Sequence, residues 1–477
     1  MADAGDQGRD GEVLDVVRSD GFATDLAATL DELAAKHRVP GVSVAVLRGD
    51  EVALATSGVV NTRTGVPVTP DSLFMVQSVT KVVTATLVMQ LLDDGLVALD
   101  DPVVRHLPRF RTGEPEQSRR ITIRHLLTHT GGFEGDLWAP TTAGPDALER
   151  FVADLVGEAP QVSPPGERFS YCNAGFGTLG RLVEVLRDET FEQAVRTRIA
   201  EPLGIEEIAF WADQALAFRT AIGHVGDDLR PLRHWAVMPP SNPAAGNQLA
   251  LSARGLLSFA RMHLDDGRAP DGTRLLGAAT ARMMREPQVE HPAVLGPHSR
   301  QGLGWWLRRG GLVEHGGGSL GVSSMLRTSP RHRVAAVVLT NSESGGRLVR
   351  ELLEPWFADL PGVEPEPPPR EPAAELAGDA APYVGVFASR QVRAEVTQGD
   401  VGRLWLHRSS RGDALVMAAS AGTDLPDEHH QLLRVGGDVF RAVGAGGPGP
   451  DVEFLGRDAD GRCRFLFLGS RVLPRVG

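Results

Sequence analysis

Ser78 and Lys81 stand three residues apart in Ser78-Val79-Thr80-Lys81. On a helix that spacing puts both side chains on one face, within reach of each other. A serine hydroxyl is a weak nucleophile until a base takes its proton, and a desolvated lysine that has lost its own proton is such a base. Arginine cannot do this work, because a guanidinium stays protonated. Composition sharpens the point: among 49 Lys and Arg residues only Lys36 and Lys81 are lysines. Tyrosine is as scarce, with Tyr171 and Tyr383 the two in the chain. Tyr171-Cys172-Asn173 supplies a phenol that can shuttle a proton and an amide that can orient a substrate or a lysine. In an extended or tight-turn segment alternate residues face one side, so Cys172 points away from the pair. The third group is His315-Gly316-Gly317-Gly318, after a short strand. Glycines there admit a close substrate backbone, and an N–H can stabilise an oxyanion. Taken singly, each group also has a plain structural explanation: a chance Ser–Lys pair, a buried tyrosine before a turn-forming Asn, and a glycine-rich strand end with a surface histidine.

These residues need rigid elements to hold them. Ser78 to Leu92 is mostly apolar and is stopped by Asp93-Asp94-Gly95, which predicts a buried helix with Ser78 at its N-terminus. Phe22, Leu26, Leu30 and Leu33 recur at helical spacing, so an amphipathic helix ends near Lys36. Gly41–Leu47 and Glu51–Thr56 flank Arg48-Gly49-Asp50 and read as a hairpin. Further helices are expected at Ile123–Thr128, Gly175–Leu186 and Ala253–Leu264, the last capped by Ser252. Leu303–Leu307, Leu312–His315, Val322–Arg327 and Val334–Thr340 read as adjacent antiparallel strands, and Gly346–Phe357 as a closing helix. Residues 361–382 are rich in proline and acid, as in a linker. From Tyr383 to Gly477 short alternating runs separated by Gly and Asp suggest a small antiparallel barrel or sandwich.

The 42% hydrophobic content of 477 residues is ample for a large core. A formal charge of −12 argues against sequence-independent binding to nucleic acid or an anionic membrane. Two cysteines, Cys172 and Cys463, make no disulfide framework, and the acidic N-terminal stretch MADAGDQGRDGEVLDVV has no apolar segment of a secretory signal. No apolar run approaches the ~20 residues of a spanning helix. A soluble cytoplasmic protein is expected.

The three groups, in this order and at these separations, resemble the motifs of the serine β-lactamase and penicillin-binding-protein superfamily. The branch is that of class C β-lactamases, D-aminopeptidases, related esterases and penicillin-binding-protein-type thioesterases. Residues 121–133 (ITIRHLLTHTGGF), 165–186, 202–210, 243–264 and Gly302-Leu303-Gly304-Trp305-Trp306 fit as well. The resemblance implies an α/β (α+β) fold, with a central antiparallel sheet flanked by helices and an all-α region, over residues 21–360. An N-terminal tail (1–20), the linker (361–382) and a lipocalin-like β-domain (383–477) complete the expected organisation. It further implies Ser78 as the acylated nucleophile, Lys81 as its base, Tyr171 as the partner acid/base, and Asn173 holding Lys81 and the substrate amide. The oxyanion hole would be the backbone N–H of Ser78 and of Gly318, with Gly246, Asn247 and Gly317 bordering the substrate. Many members carry lysine where this chain has His315, so a substrate without a free carboxylate there is favoured. No cofactor and no metal are implied. A member with this tail looks most like the thioesterases that release or cyclise nonribosomal peptides, often at a D-configured terminal residue, with the acyl or peptidyl substrate delivered on a carrier-protein domain. The alternatives are a cytoplasmic esterase, a D-aminopeptidase or β-lactamase-like hydrolase, and a catalytically silent binding protein.

Other features carry less. Gly317-Gly318-Ser319-Leu320-Gly321 matches G-x-S-x-G, but that elbow needs a helix next and a strand is expected here. Cys172 has no histidine neighbour in sequence and reads as an inert core thiol. His125, His129, His429 and His430 lack metal-ligand spacing. Of Trp305 and Trp306, alternate strand residues, one must be core and the other can line an acyl pocket.

Overall fold

The computed structural model describes residues 20–296, 298–364, 379–444 and 447–476. The expected tail (1–20) and linker (361–382) therefore lie largely outside the described residues.

The helix α1 (Asp20–His37) leads into the strands β1 (Gly41–Arg48), β2 (Glu51–Asn61) and β3 (Val66–Pro67). Six more strands complete this sheet: β4 (Val289–Glu290), β5 (Arg300–Gln301), β6 (Trp306–Leu307), β7 (Val313–Ser319), β8 (Val322–Ser329) and β9 (Val334–Thr340). Their order is β3-β2-β1-β9-β8-β7-β6-β5-β4, antiparallel throughout. The alternation of a strand divides its residues between two cores. Val42, Val44 and Val46, with Ala336 and Val338, pack on Leu26, Leu30 and Leu33 of α1 and on Leu348 and Leu352 of the last helix of this region, Gly345–Ala358. Ala45 and Leu47, with Val337 and Leu339, face the larger core on the other side, which holds the helices α2 (Thr80–Asp93), α3 (Asn173–Arg187) and α4 (Ala253–Leu264). Ser252 caps α4 by accepting from Gly255 N–H at 3.0 Å, as its sequence predicts.

Two expectations need correction. The strand read at Leu303–Leu307 shrinks to Trp306–Leu307, because Gly304 takes a left-handed φ of +83° and lies against Ala85 of α2. The glycines after His315 do not follow a strand; β7 runs through them, paired with β8 as far as Ser319↔Val322. A hairpin at Ser319 also removes the strand–turn–helix context that a G-x-S-x-G elbow requires.

The second sheet has eight antiparallel strands in sequential order: β10 (Gly385–Ala388), β11 (Val392–Gln398), β12 (Leu404–Ser410), β13 (Glu428–Gly436), β14 (Val439–Gly444), β15 (Gly447–Arg457), β16 (Cys463–Leu468) and β17 (Arg471–Pro474). A bridge between Phe387 and Arg475 and the bond from Val476 N–H to Val386 O bring the first strand back to the last. The result is a nearly closed barrel around Phe387, Phe440 and Phe454. Within the barrel region one helix has no counterpart in the sequence reading. The helix Asp413–Ala421 interrupts the strands, in a stretch (DALVMAASA) of strong helix formers. Among the described residues no helix is long and apolar enough to cross a membrane.

Candidate active site

Ser78 sits on a single turn of 3-10 helix, Gln77–Val79, that opens into α2. Gln77 has a left-handed φ of +50°, unusual for a residue with a side chain, so the chain turns sharply as it delivers Ser78. Two glycines make the turn possible. A Cβ on Gly246 would lie 2.1 Å from Gln77 O, and one on Gly317 would lie 2.4 Å from both Val76 O and Ser324 Oγ. Ser324 on β8 also donates to Val76 O at 2.8 Å. Gly317 is thus required by the serine turn. The protein's own backbone makes a close approach at Gly317, on the side where a Cβ would stand.

Lys81, one turn into α2, is completely buried. Its Nζ is hydrogen-bonded to Ser78 Oγ at 3.2 Å and donates to Ala245 O at 2.6 Å. Burial holds this amine well below the ordinary lysine range, and the nearby Arg471 guanidinium lowers it further, against the opposing charge of Asp136. Tyr171 is buried beside it, its ring centroid 4.8 Å from Nζ, with Ser78 among the groups that act on its phenol. Burial raises the phenol above its usual range, while Ser78 and then Arg471 act to lower it. An amine poised to be neutral and a phenol held protonated on one serine hydroxyl form a base and an acid at a single oxygen.

Asn173 begins α3, next to Cys172, whose buried sulfur caps that helix by accepting from Gly175 N–H at 3.2 Å. Burial pushes the Cys172 thiol up to about 12, so it stays a thiol at neutral pH. The expected Asn173–Lys81 bond is replaced by one to Asp136, whose Oδ1 accepts from Asn173 Nδ2 at 2.6 Å. Lys81 has its carbonyl partner in Ala245 instead.

His315 on β7 is buried, and its Nδ1 donates to Gly316 O at 2.7 Å. Burial, then the proximity of Lys81, lowers it to about 3, so the ring is neutral at pH 7. Beyond Glu314 the edge of β7 is not paired by β6, whose register stops at Glu314 and Val313. Gly318 on that open stretch faces a cavity of about 360 Å³ shared with Ser78, Asn173, Gly246 and Asn247. Asn247 is fixed there by donating to Pro239 O at 2.8 Å. Trp305 is the core member of its pair; Trp306 stacks edgewise near Tyr171 and His315.

Sequence reasoning missed four participants. Asp136 follows the quoted 121–133 stretch by three residues and joins Asn173 to Arg471. His129 packs against Tyr171, ring centroids 4.4 Å apart and planes tilted by 31°, and its Nδ1 accepts from Cys172 N–H at 3.0 Å. Ala245 acts through its carbonyl, which no side-chain pattern reveals. Arg471 comes from the barrel, 335 residues beyond Asp136. The barrel also supplies Gln391, Arg408 and Met417 to the cavity wall. Among the described residues no three His, Cys, Asp or Glu side chains are grouped so as to hold a metal ion.

Penicillin-binding protein 4 of Amycolatopsis lactamdurans is 40% identical over 371 residues, 75% of this chain and 95% of that protein. Esterase EstB of Burkholderia gladioli is 32% identical over 205 residues, 40% of this chain and 52% of that protein. Among solved structures, SurE superposes with a TM-score of 0.75 at 28% identity, covering 96% of this chain and all of that one; SurE with D-Leu gives 0.73. A sequence model of the family described as Beta-lactamase matches residues 26–355, and so this chain belongs to the beta-lactamase family of serine hydrolases, alongside penicillin-binding proteins and esterases.

Proposed function

We propose that the protein is a serine acyltransferase of the penicillin-binding-protein type that releases or macrocyclises a peptidyl thioester ending in a D-configured residue. Neutral Lys81 takes the Ser78 Oγ proton as Oγ attacks the thioester carbonyl. The tetrahedral oxyanion rests on the backbone N–H groups of Ser78 and Gly318. The carbon–sulfur bond breaks, Tyr171 gives its proton to the departing thiolate, and an acyl-Ser78 ester remains. The phenolate then takes a proton from the incoming amine or water, which attacks the ester; the Ser78 Oγ–carbon bond breaks and the Lys81 ammonium returns its proton to Oγ. The donor would arrive on a carrier-protein domain, and in cyclisation the acceptor is the peptide's own amine.

One observation carries this reading: the likeness to SurE runs through both the catalytic region and the barrel, and SurE is solved with D-Leu. A cavity walled by both parts of the chain suits a peptidyl group better than a small ester. Neutral His315 supports a substrate without a free carboxylate at that position. The likeness to Esterase EstB favours a second reading, a stand-alone esterase. To separate them, a peptidyl thioester with a D-terminal residue is incubated with the protein and its products are weighed by mass spectrometry. Released or cyclised peptide is expected. Turnover of simple esters with none of the thioester would sink the peptide reading.

A further inference from the structure

The tip of the β16–β17 hairpin is pressed against Tyr171. Gly469 and Ser470 both have positive φ, 56° and 66°, which turns the hairpin tightly and exposes the Ser470 carbonyl. That carbonyl accepts from Tyr171 N–H at 2.9 Å, and Ser170 Oγ accepts from Val472 N–H at 3.1 Å. Between these bonds, Arg471 passes its guanidinium over the Tyr171 ring, 4.7 Å from the centroid. It grips Asp136 with two nitrogens, Nε at 2.9 Å to Oδ2 and Nη2 at 3.2 Å to Oδ1. The same Asp136 holds Asn173. A single barrel residue is therefore tied, directly or through one carboxylate, to two residues of the Tyr171-Cys172-Asn173 segment.

We propose that Arg471 is a positioning residue for acyl transfer, through which the docked barrel sets the placement of Tyr171 and Asn173 and the charge around Lys81. This rests on the reading of Lys81 as base. The barrel is then a working part of the site, beyond any role in walling the cavity. A cation stacked on the phenol and paired with a carboxylate fixes the ring more firmly than packing alone. The groups facing Lys81 are Ser78, His129, Asp136, Tyr171, Cys172, His315 and Arg471. Both histidines are held neutral by burial, so Asp136 and Arg471 supply the fixed charges. Arg471 opposes protonation of Lys81 and Asp136 favours it.

The two charges give opposite signs to test. In the full chain, Arg471→Gln is expected to lower kcat about 100-fold with KM altered far less, and to move the acid limb of kcat/KM to higher pH. Asp136→Asn is expected to lower kcat as well, but to move that limb to lower pH. Arg471→Lys, which keeps the charge and loses the two-nitrogen grip, should retain the wild-type limb with reduced kcat. The rates are read with an N-acyl-D-alanyl thioester over a pH series, and folding is checked by thermal melting. An unchanged kcat and limb in Arg471→Gln overturns the proposal, as does a shift of both variants in the same direction, which marks a merely structural role. If Arg471→Gln does not fold, Asp136→Asn and Arg471→Lys decide on the same criteria. Lys81→Arg is measured in parallel: its activity would overturn the base reading, whereas an inactive Lys81→Arg beside a normal Arg471→Gln overturns this proposal alone.

Discussion

The two lysines of this chain occupy opposite environments. Lys36, in the last turn of α1, is mostly exposed and pairs with Glu351 at 2.5 Å across the surface. Such a pair contributes ~1 kcal/mol or less, and arginine would serve as well. Lys81 has no exposed surface and is held below the ordinary lysine range by burial, next to Ser78 Oγ. Lys81→Arg is therefore expected to abolish acylation, with turnover down by about 100-fold to 10,000-fold, the span of general-base catalysis. Intact-mass measurement after treatment with an active ester or peptidyl thioester reads this directly: wild type gains an acyl adduct, while Lys81→Arg and Ser78→Ala do not. Near-normal turnover in Lys81→Arg would show that another group is the base. Scarcity alone did not distinguish Lys81 from Lys36; the pairing with Ser78 and the later Tyr171 segment did. What the residue pattern could not convey was how Lys81 is held. A backbone carbonyl at Ala245 leaves no trace in side-chain identity, and the expected amide of Asn173 proved to serve Asp136 instead.

The elements explain which parts were legible. Helices α1, α2, α3 and α4 carry strong periodic or continuous apolar patterns, and strands β1 and β9 are rich in valine, so local sequence and tertiary packing agree. The helix Asp413–Ala421 was hidden because its neighbours alternate like strands and its nine residues are short for a periodic signal. The interface was hidden for a different reason. Gln391 Nε2 donates to Asp136 O at 2.7 Å, and Arg390 N–H to Glu134 Oε2 at 3.0 Å, contacts between residues about 255 apart in sequence. Two glycines near the site have a further purpose that the sequence reading did not name. Gly246, at φ +115°, and Gly317 both exist to let the Ser78 turn close. Gly246→Ala must move Gln77 or distort its own backbone, a strain of about 1–3 kcal/mol placed at the serine. It is expected to slow acyl-adduct formation at least tenfold while the protein stays folded. Gly346→Ala is the control: it lies in a helix with nothing near its added carbon, and should be neutral or slightly stabilising. Equal adduct rates for Gly246→Ala and wild type would mean that the turn adjusts freely and needs no glycine there.

Across the whole molecule, burial has left several histidines that resist taking a proton. His129, His263, His291 and His315 all lie below the usual imidazole range, with burial the largest cause in each; His263 and His315 come to about 3 and His291 to about 4. Their folded values fall below the ~6.5 of an exposed histidine, so the unfolded chain takes up these protons first as pH drops. The stability they contribute is intact above pH 6.5 and is lost as pH falls, toward 3–4 for His263, His291 and His315. Glu184 opposes them: burial raises it to about 7, so its contribution is complete below ~4.5 and fades as pH rises through 7. One carboxyl against four imidazoles leaves these five groups favouring stability at neutral pH. His263 isolates the effect, since it is distant from Ser78 chemistry and is held by Thr86 Oγ1 at 3.0 Å and by the edges of Phe259 and Trp305. Between pH 6.5 and 4 its linkage amounts to about 3 kcal/mol, at ~1.4 kcal/mol per pH unit. A His263→Gln variant loses packing and so starts less stable at pH 7, but it has no imidazole to protonate. Urea unfolding of the two proteins is expected to give stabilities that converge as pH falls from 7 to 4. Curves that stay parallel over that range would mean that His263 already carries its proton in the folded core, against the apolar surroundings that enclose it.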